Sequence, residues 1–174
     1  ECATLDSRAE VVVWDQNLGL TDHAIRMMKG VFNRHTQIIS LEEDNEIGAE
    51  GLNFLKLHSV GSSPSIAAAY SRYSHPNALF VRKTFFPNQW GTALNESFFG
   101  EVLRTVQHSE INQSVVERSI IPEISTNRKR REFISNYWSE LFRSSITDPS
   151  HGDAIFQYTA MRLGRPYSVP TKTL

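Results

Sequence analysis

Near residue 95 the apolar residues of this chain change period, and that change limits the fold more than any other feature. Before it, short β-branched runs surround a single helical stripe; after it, apolar residues recur at helical spacing. "EVVVW" (10–14) reads as a buried strand and Asp15 to Leu20 as a turn. Thr21 and Asp22 offer N-cap chemistry to "DHAIRMMKGVFNRH", in which Ile25, Met28, Val31 and Phe32 share one face. "TQIISLE" (36–42) is a second strand, the acidic stretch 42–51 a surface loop, and "LNFLKLHS" (52–59) a half-buried strand. Residues 59–64 form a loop, 65–73 a short helix or an irregular segment, and "NALFVRKTFF" (77–86) a strand closed by Pro87 and Asn88.

Beyond this point helices dominate. Asn95 can cap a helix whose stripe is Phe98, Phe99, Val102, Leu103 and Val106, and Pro122 marks its end or that of a continuation. A further helix runs from about Asn127 to Ser144, with Phe133, Ile134, Tyr137, Trp138, Leu141 and Phe142 at one-turn spacing. "TDPSHGD" (147–153) is a turn before the apolar "AIFQYTAMRL", and Pro166 and Pro170 predict an irregular tail. The expected fold is mixed α/β (α+β): a small mixed sheet backed by a helix, then a helical C-terminal half. It forms one domain over 9–165, with tails at 1–8 and 166–174, since 174 residues suit a single core.

A net charge of −1 gives no electrostatic reason to expect nucleic acid or an anionic membrane as partner. The basic run Arg128-Lys129-Arg130-Arg131 reads as the solvated first turn of a helix. No apolar run approaches the roughly 18–20 residues that span a bilayer. The single cysteine, Cys2, excludes an intrachain disulfide, so the fold must stand on its core. Its position resembles that of the acylated cysteine of a mature bacterial lipoprotein. With no Met at position 1, the expectation is an exported protein (periplasmic, outer-membrane or secreted), lipid-anchored through Cys2; the alternative is a cytosolic protein cut for expression.

Several chemistries are absent by pattern. An EF-hand loop starting at Glu42 would need glycine sixth and glutamate twelfth, where Ile47 and Asn53 stand. "HSVGSSPS" lacks the G-x-S-x-G frame of a hydrolase nucleophile, and "DQNLGL" has no phosphate-cradling glycines. The stretch "LRTVQHSEINQSV" (103–115) is more telling. A zinc-peptidase helix places two histidines at i and i+4 on one face, with a glutamate at i+1 as general base. Here His108 is followed by Ser109 and, at i+4, by Asn112, while Glu110 lies about 200° round the helix. A surface histidine on an amphipathic helix is the plain alternative.

"EVVVWDQNLGLTDHAIRMMKGVFNRHTQIISLEED", then "NFLKLHS", "NALFVRKTF" and "TVQHSEIN", resembles in order the opening of metzincin zinc metallopeptidases of the astacin and matrixin kind. "TVQHSEIN" is similar to their T-V-x-H-E-x-x-H, with His108 on the first ligand. "DAIFQYT" (153–159) is similar to their methionine-turn, Ile155 and Tyr158 matching and Phe156 standing for methionine. The resemblance covers roughly residues 9–160 and implies a zincin-like domain. Its departures are Ser109 for the glutamate, Asn112 for the second histidine, and Val115 and Arg118 for the glycine and third ligand of the extended motif. Losing the base costs on the order of 10²–10⁴-fold in rate, and losing two ligands removes tight zinc binding.

The resemblance therefore implies a pseudo-peptidase with no cofactor, binding a peptide or protein in the former cleft. Phe85, Phe86, Trp90, His108, Asn112 and Tyr158 are the cleft candidates, and residues 77–86 the edge strand that receives a peptide. Two alternatives stay open. One is a metal-dependent hydrolase in which His108 and His151, with His58 or His75, hold zinc; the other is an unrelated α/β accessory domain.

Overall fold

The computed structural model describes residues 10–42, 45–70, 81–87, 91–108, 110–124, 127–147 and 152–171. They form six helices and a five-stranded mixed sheet. In chain order the elements are α1 (Gly19–Phe32), β1 (Gln37–Ser40), α2 (Ala49–His58), β2 (Ile66–Ala68), β3 (Val81–Thr84), β4 (Thr92–Asn95), α3 (Glu96–His108), α4 (Gln113–Ile124), α5 (Arg128–Thr147), α6 (Gly152–Leu163) and β5 (Tyr167–Pro170). The sheet order is β1-β4-β2-β5-β3, with β2 and β5 parallel and every other pair antiparallel. Mixed α/β architecture, the sheet and the helical second half match the sequence expectation.

The helices with the strictest periodicity form where the pattern puts them. α1 buries Ile25 and Met28, and Phe32 stacks on Phe99 of α3 at 5.0 Å between ring centroids. Its start is three residues earlier than expected: Asn17 Oδ1 accepts from Gly19 N at 2.9 Å, and Thr21 lies inside the helix. α3 buries Phe98, Phe99 and Val102 completely or nearly so, with Leu103 and Val106 packed beside them. Each such side chain contributes roughly 1.5–3 kcal/mol by leaving water.

Four local expectations are corrected. "EVVVW" is not a buried strand: Val11, Val12 and Val13 are exposed, and the segment is tied to α1 by side chains. Trp14 Nε1 donates to His23 Nδ1 at 3.0 Å, the Arg26 guanidinium lies 5.9 Å from the Trp14 ring, and Glu10 pairs with Arg34 at 2.7 Å. Residues 52–58 belong to helix α2, with Ser59 as its cap; Leu55 is fully buried while Leu57 is exposed, so the apparent alternation is not a burial pattern. Residues 66–68, expected as helix or irregular, are the inner strand β2, in which Ala67, with Ala69 and Ala93, leaves room for Leu55 of α2 against the sheet. The tail is not irregular: between its two prolines lies β5, buried throughout between β2 and β3.

α6 joins the halves of the core. Every residue from Ala154 to Met161 is buried, and its polar members are paired: Gln157 Nε2 donates to Phe85 O and Thr159 Oγ1 to Ile155 O. Ile155, Phe156 and Ala160 join α1, α3 and the sheet; Ala154, Tyr158 and Met161 join Val116, Ile120 and Phe142 of α4 and α5. The helix ends in a Schellman cap. Gly164, at φ +61°, donates its amide to Met161 O, and Arg165 N reaches Ala160 O at 2.9 Å. Gly91 is the other glycine that its place demands: φ is +66°, and a Cβ there would meet the Tyr70 ring at 3.1 Å.

Candidate functional site

The stretch that suggested a metal helix divides into two. α3 ends at His108, and Asn112 begins α4 as its cap: its Oδ1 accepts from Ser114 N at 3.0 Å and Ser114 Oγ at 2.7 Å. Its carbonyl accepts from Val115 N at 3.0 Å. Positions i and i+4 meet only on one continuous helix, so His108 and Asn112 do not share a face. Asn112 turns instead to Tyr158, whose hydroxyl accepts the Asn112 amide at 2.8 Å; Tyr158 is buried, and His108 and Asn112 are exposed. The described part of the motif offers one imidazole, which does not fit a zinc ion. Among the described residues no three His, Cys, Asp or Glu side chains converge to hold a metal.

"DAIFQYT" is helical, not a turn: it lies within α6, with Phe156 and Tyr158 on opposite sides of it in the two core clusters. Phe85 and Phe86 follow β3 and are half-buried. The Phe85 carbonyl accepts from Gln157 Nε2 at 2.7 Å, and Phe86 lies 5.2 Å from Trp138. Both serve the core, and neither is gathered with His108. His58 ends α2 against the Phe54 ring at 4.4 Å, and burial, then the Lys83 charge, lower its pKa. Cys2, His75, Trp90, Ser109 and His151 lie outside the described residues.

The best-organised polar site is one the sequence reading did not assemble. Asn95, buried at the junction of β4 and α3, uses its whole amide. Oδ1 accepts from Phe98 N at 2.9 Å, the predicted cap, and from Ser65 N at 3.1 Å. Nδ2 donates to Gly61 O at 2.8 Å and Ser63 O at 2.7 Å. One side chain thus fixes the 61–65 loop to the start of α3. Beside it opens a cleft of about 490 Å³ lined by Thr36, Ser62, Glu96, Ser97, Gly100 and Arg104, among others. Glu101 on its wall is neutralised by Arg104 and by Arg162 at 2.6 Å. Among the described residues no histidine or cysteine lines the cleft; it offers hydrogen bonding, the Glu96 carboxylate and the paired Arg104 guanidinium. Only the Asn95 cap was visible in sequence; the loop it captures lies more than thirty residues away.

At the far side of the sheet β3 is outermost. It pairs with β5 from Val81↔Pro170 to Thr84↔Tyr167, and among the described residues no strand lies beyond it. Val81, Arg82 and Lys83 are exposed, and Lys83 Nζ donates to Ser168 Oγ at 2.5 Å. No helix among the described residues is long and apolar enough to cross a membrane. Comparison with protein-family models, with curated proteins and with solved structures finds no match.

Proposed function

We propose that this chain is a non-catalytic protein-binding domain whose strand β3 receives an extended peptide by strand addition. The observation that carries it is the position of β3: outermost in the sheet among the described residues, three of its four residues exposed, and its far end held by Phe85 and Phe86 in the core. The edge of a sheet is a row of backbone donors and acceptors, and added hydrogen bonds give affinity while side chains give specificity. Each such bond contributes about 0.5–1.5 kcal/mol, so four residues of pairing need side-chain contacts as well.

The scaffold half of the proposal is a degenerate metzincin-like domain, exported and lipid-anchored through Cys2. A mixed sheet with an edge strand preceding the helix that bears His108 supports it; α2 in place of a strand and the end of α3 at His108 weigh against it.

The test is selection of extended peptides from a random displayed library, followed by amide shift mapping of the selected peptide on the folded chain. Shifts centred on residues 81–84, and loss of binding on proline substitution of Val81, at the end of the β3–β5 ladder, with the fold retained by circular dichroism, are expected. Shifts confined to the Asn95 cleft would transfer the function there. Metal analysis addresses catalysis: stoichiometric zinc lost in His108→Ala would overturn the non-catalytic reading.

A further inference from the structure

The outer face of α5 combines two features that a solvated helix avoids. Its first turn carries Arg128, Lys129, Arg130 and Arg131 with no acidic residue, at the end where the helix dipole is already positive. Cations there raise the energy of the helix, whereas carboxylates would lower it. Asn127 Oδ1 caps the turn by accepting from Arg130 N at 3.2 Å, and among the described residues no carboxylate pairs with any of the four side chains. One and two turns on, Phe133 is 73% exposed and Tyr137 60% exposed. They stand four residues apart, about 6 Å along the axis, on the face that also carries Lys129 and Arg130.

Tyr137 is not a loose ring. It meets Trp138 edge-on at 5.9 Å, Trp138 lies 5.6 Å from Phe142, and Phe142 lies 5.4 Å from Tyr158 in the core. Tyr137 is therefore backed by packed aromatics, and its ordering cost on binding is small. Beyond it, Glu140 pairs with Arg143, so positive charge is confined to one end of the strip.

From this arrangement we infer that the α5 face docks an acidic amphipathic helix of a protein partner, lying antiparallel to α5. Apolar residues at one-turn spacing on such a helix meet Phe133 and Tyr137. Its carboxylates and negative C-terminal end meet Lys129, Arg130 and the positive start of α5. A nucleic-acid strand or an anionic bilayer fits less well, since both extend their negative charge beyond the cations, along a strip where the Glu140–Arg143 pair offers no net positive charge. Phe133 and Tyr137 lie on α5 and Val81 on β3, so different substitutions test the two surfaces.

The experiment titrates the full chain with a fluorescent synthetic helix carrying leucine on one face and glutamate on its flanks. Controls are its lysine-for-glutamate version, a sequence scramble, an oligothymidylate, and phosphatidylserine vesicles. The glutamate helix is expected to bind with a Kd on the order of micromolar. Binding should fall at least about tenfold in Phe133→Ser/Tyr137→Ser, and separately in Lys129→Glu/Arg130→Glu, with no change in melting temperature. Proline in β3 should not alter it. Lack of binding, equal binding of the scramble, or indifference to both double substitutions would overturn the inference. So would preference for oligonucleotide or vesicles, or a self-association abolished by Phe133→Ser/Tyr137→Ser.

Discussion

Asn95 illustrates how much one side chain can decide. Its amide accepts two backbone N–H groups and donates to two carbonyls, so the first turn of α3 and the loop 61–65 are held by the same group. Asn95→Asp keeps the acceptor but turns an oxygen toward the carbonyls of Gly61 and Ser63. Urea unfolding should show a loss of about 2–4 kcal/mol at pH 7, smaller near pH 4 where a protonated Asp can donate again. His58 gives a second prediction. Burial first, and the Lys83 charge second, hold its pKa below the ordinary 6.5. The unfolded chain then binds more protons just below pH 6.5, so stability rises with pH across that window and is lost as pH falls through the folded-state pKa. NMR titration should find the His58 midpoint below 6.5, and Lys83→Gln should move it upward without fully restoring it.

Among elements, α5 shows where pattern reading stops. Its stripe was read from aromatic and aliphatic residues, yet Phe133 and Tyr137 face solvent. The face turned inward instead carries Ser135, Ser139, Phe142 and Ser145, all essentially inaccessible. Serine carries no apolar signal, but its small volume lets α5 lie close to α4 and α6. The hydroxyls of Ser135 and Ser139 are buried with no hydrogen-bond partner among the described residues, whereas Ser145 Oγ donates to Phe142 O at 2.7 Å. Ser135→Ala and Ser139→Ala should therefore be neutral or raise stability by about 1 kcal/mol, and Ser145→Ala should not raise it, as thermal melts can check. α1, α3 and β1 were legible because their apolar residues are large and regularly spaced. α2 misled because Leu52, Phe54 and Leu57 alternate by chance, and β2 was missed because alanine has little strand preference.

At the scale of the molecule, α6 faces both core clusters, which gives the halves one fate. Phe98→Ala in the first cluster and Phe142→Ala in the second should each cost about 3–5 kcal/mol and move a single unfolding transition. Two separate transitions in calorimetry would show that the clusters melt independently. The sheet was legible as a small mixed sheet but not in its order, because β5 lies in a stretch whose prolines signalled irregularity. The Asn95 cleft was hidden for the same reason as the sheet order: both depend on which distant segments meet, and local spacing carries no record of that.

The place of β5 also sets a schedule. β1, β4 and β2 can pair among themselves as soon as they exist, but Lys83 of β3 waits 85 residues for Ser168. Contacts so far apart in the chain form slowly, since a long loop must close first. On the ribosome, β3 therefore spends the synthesis of α3 through α6 without its β5 partner. A growing chain halted anywhere in that interval would display a strand able to pair with a neighbour's, and the nascent protein, more than the finished one, is where a chaperone would find its hold.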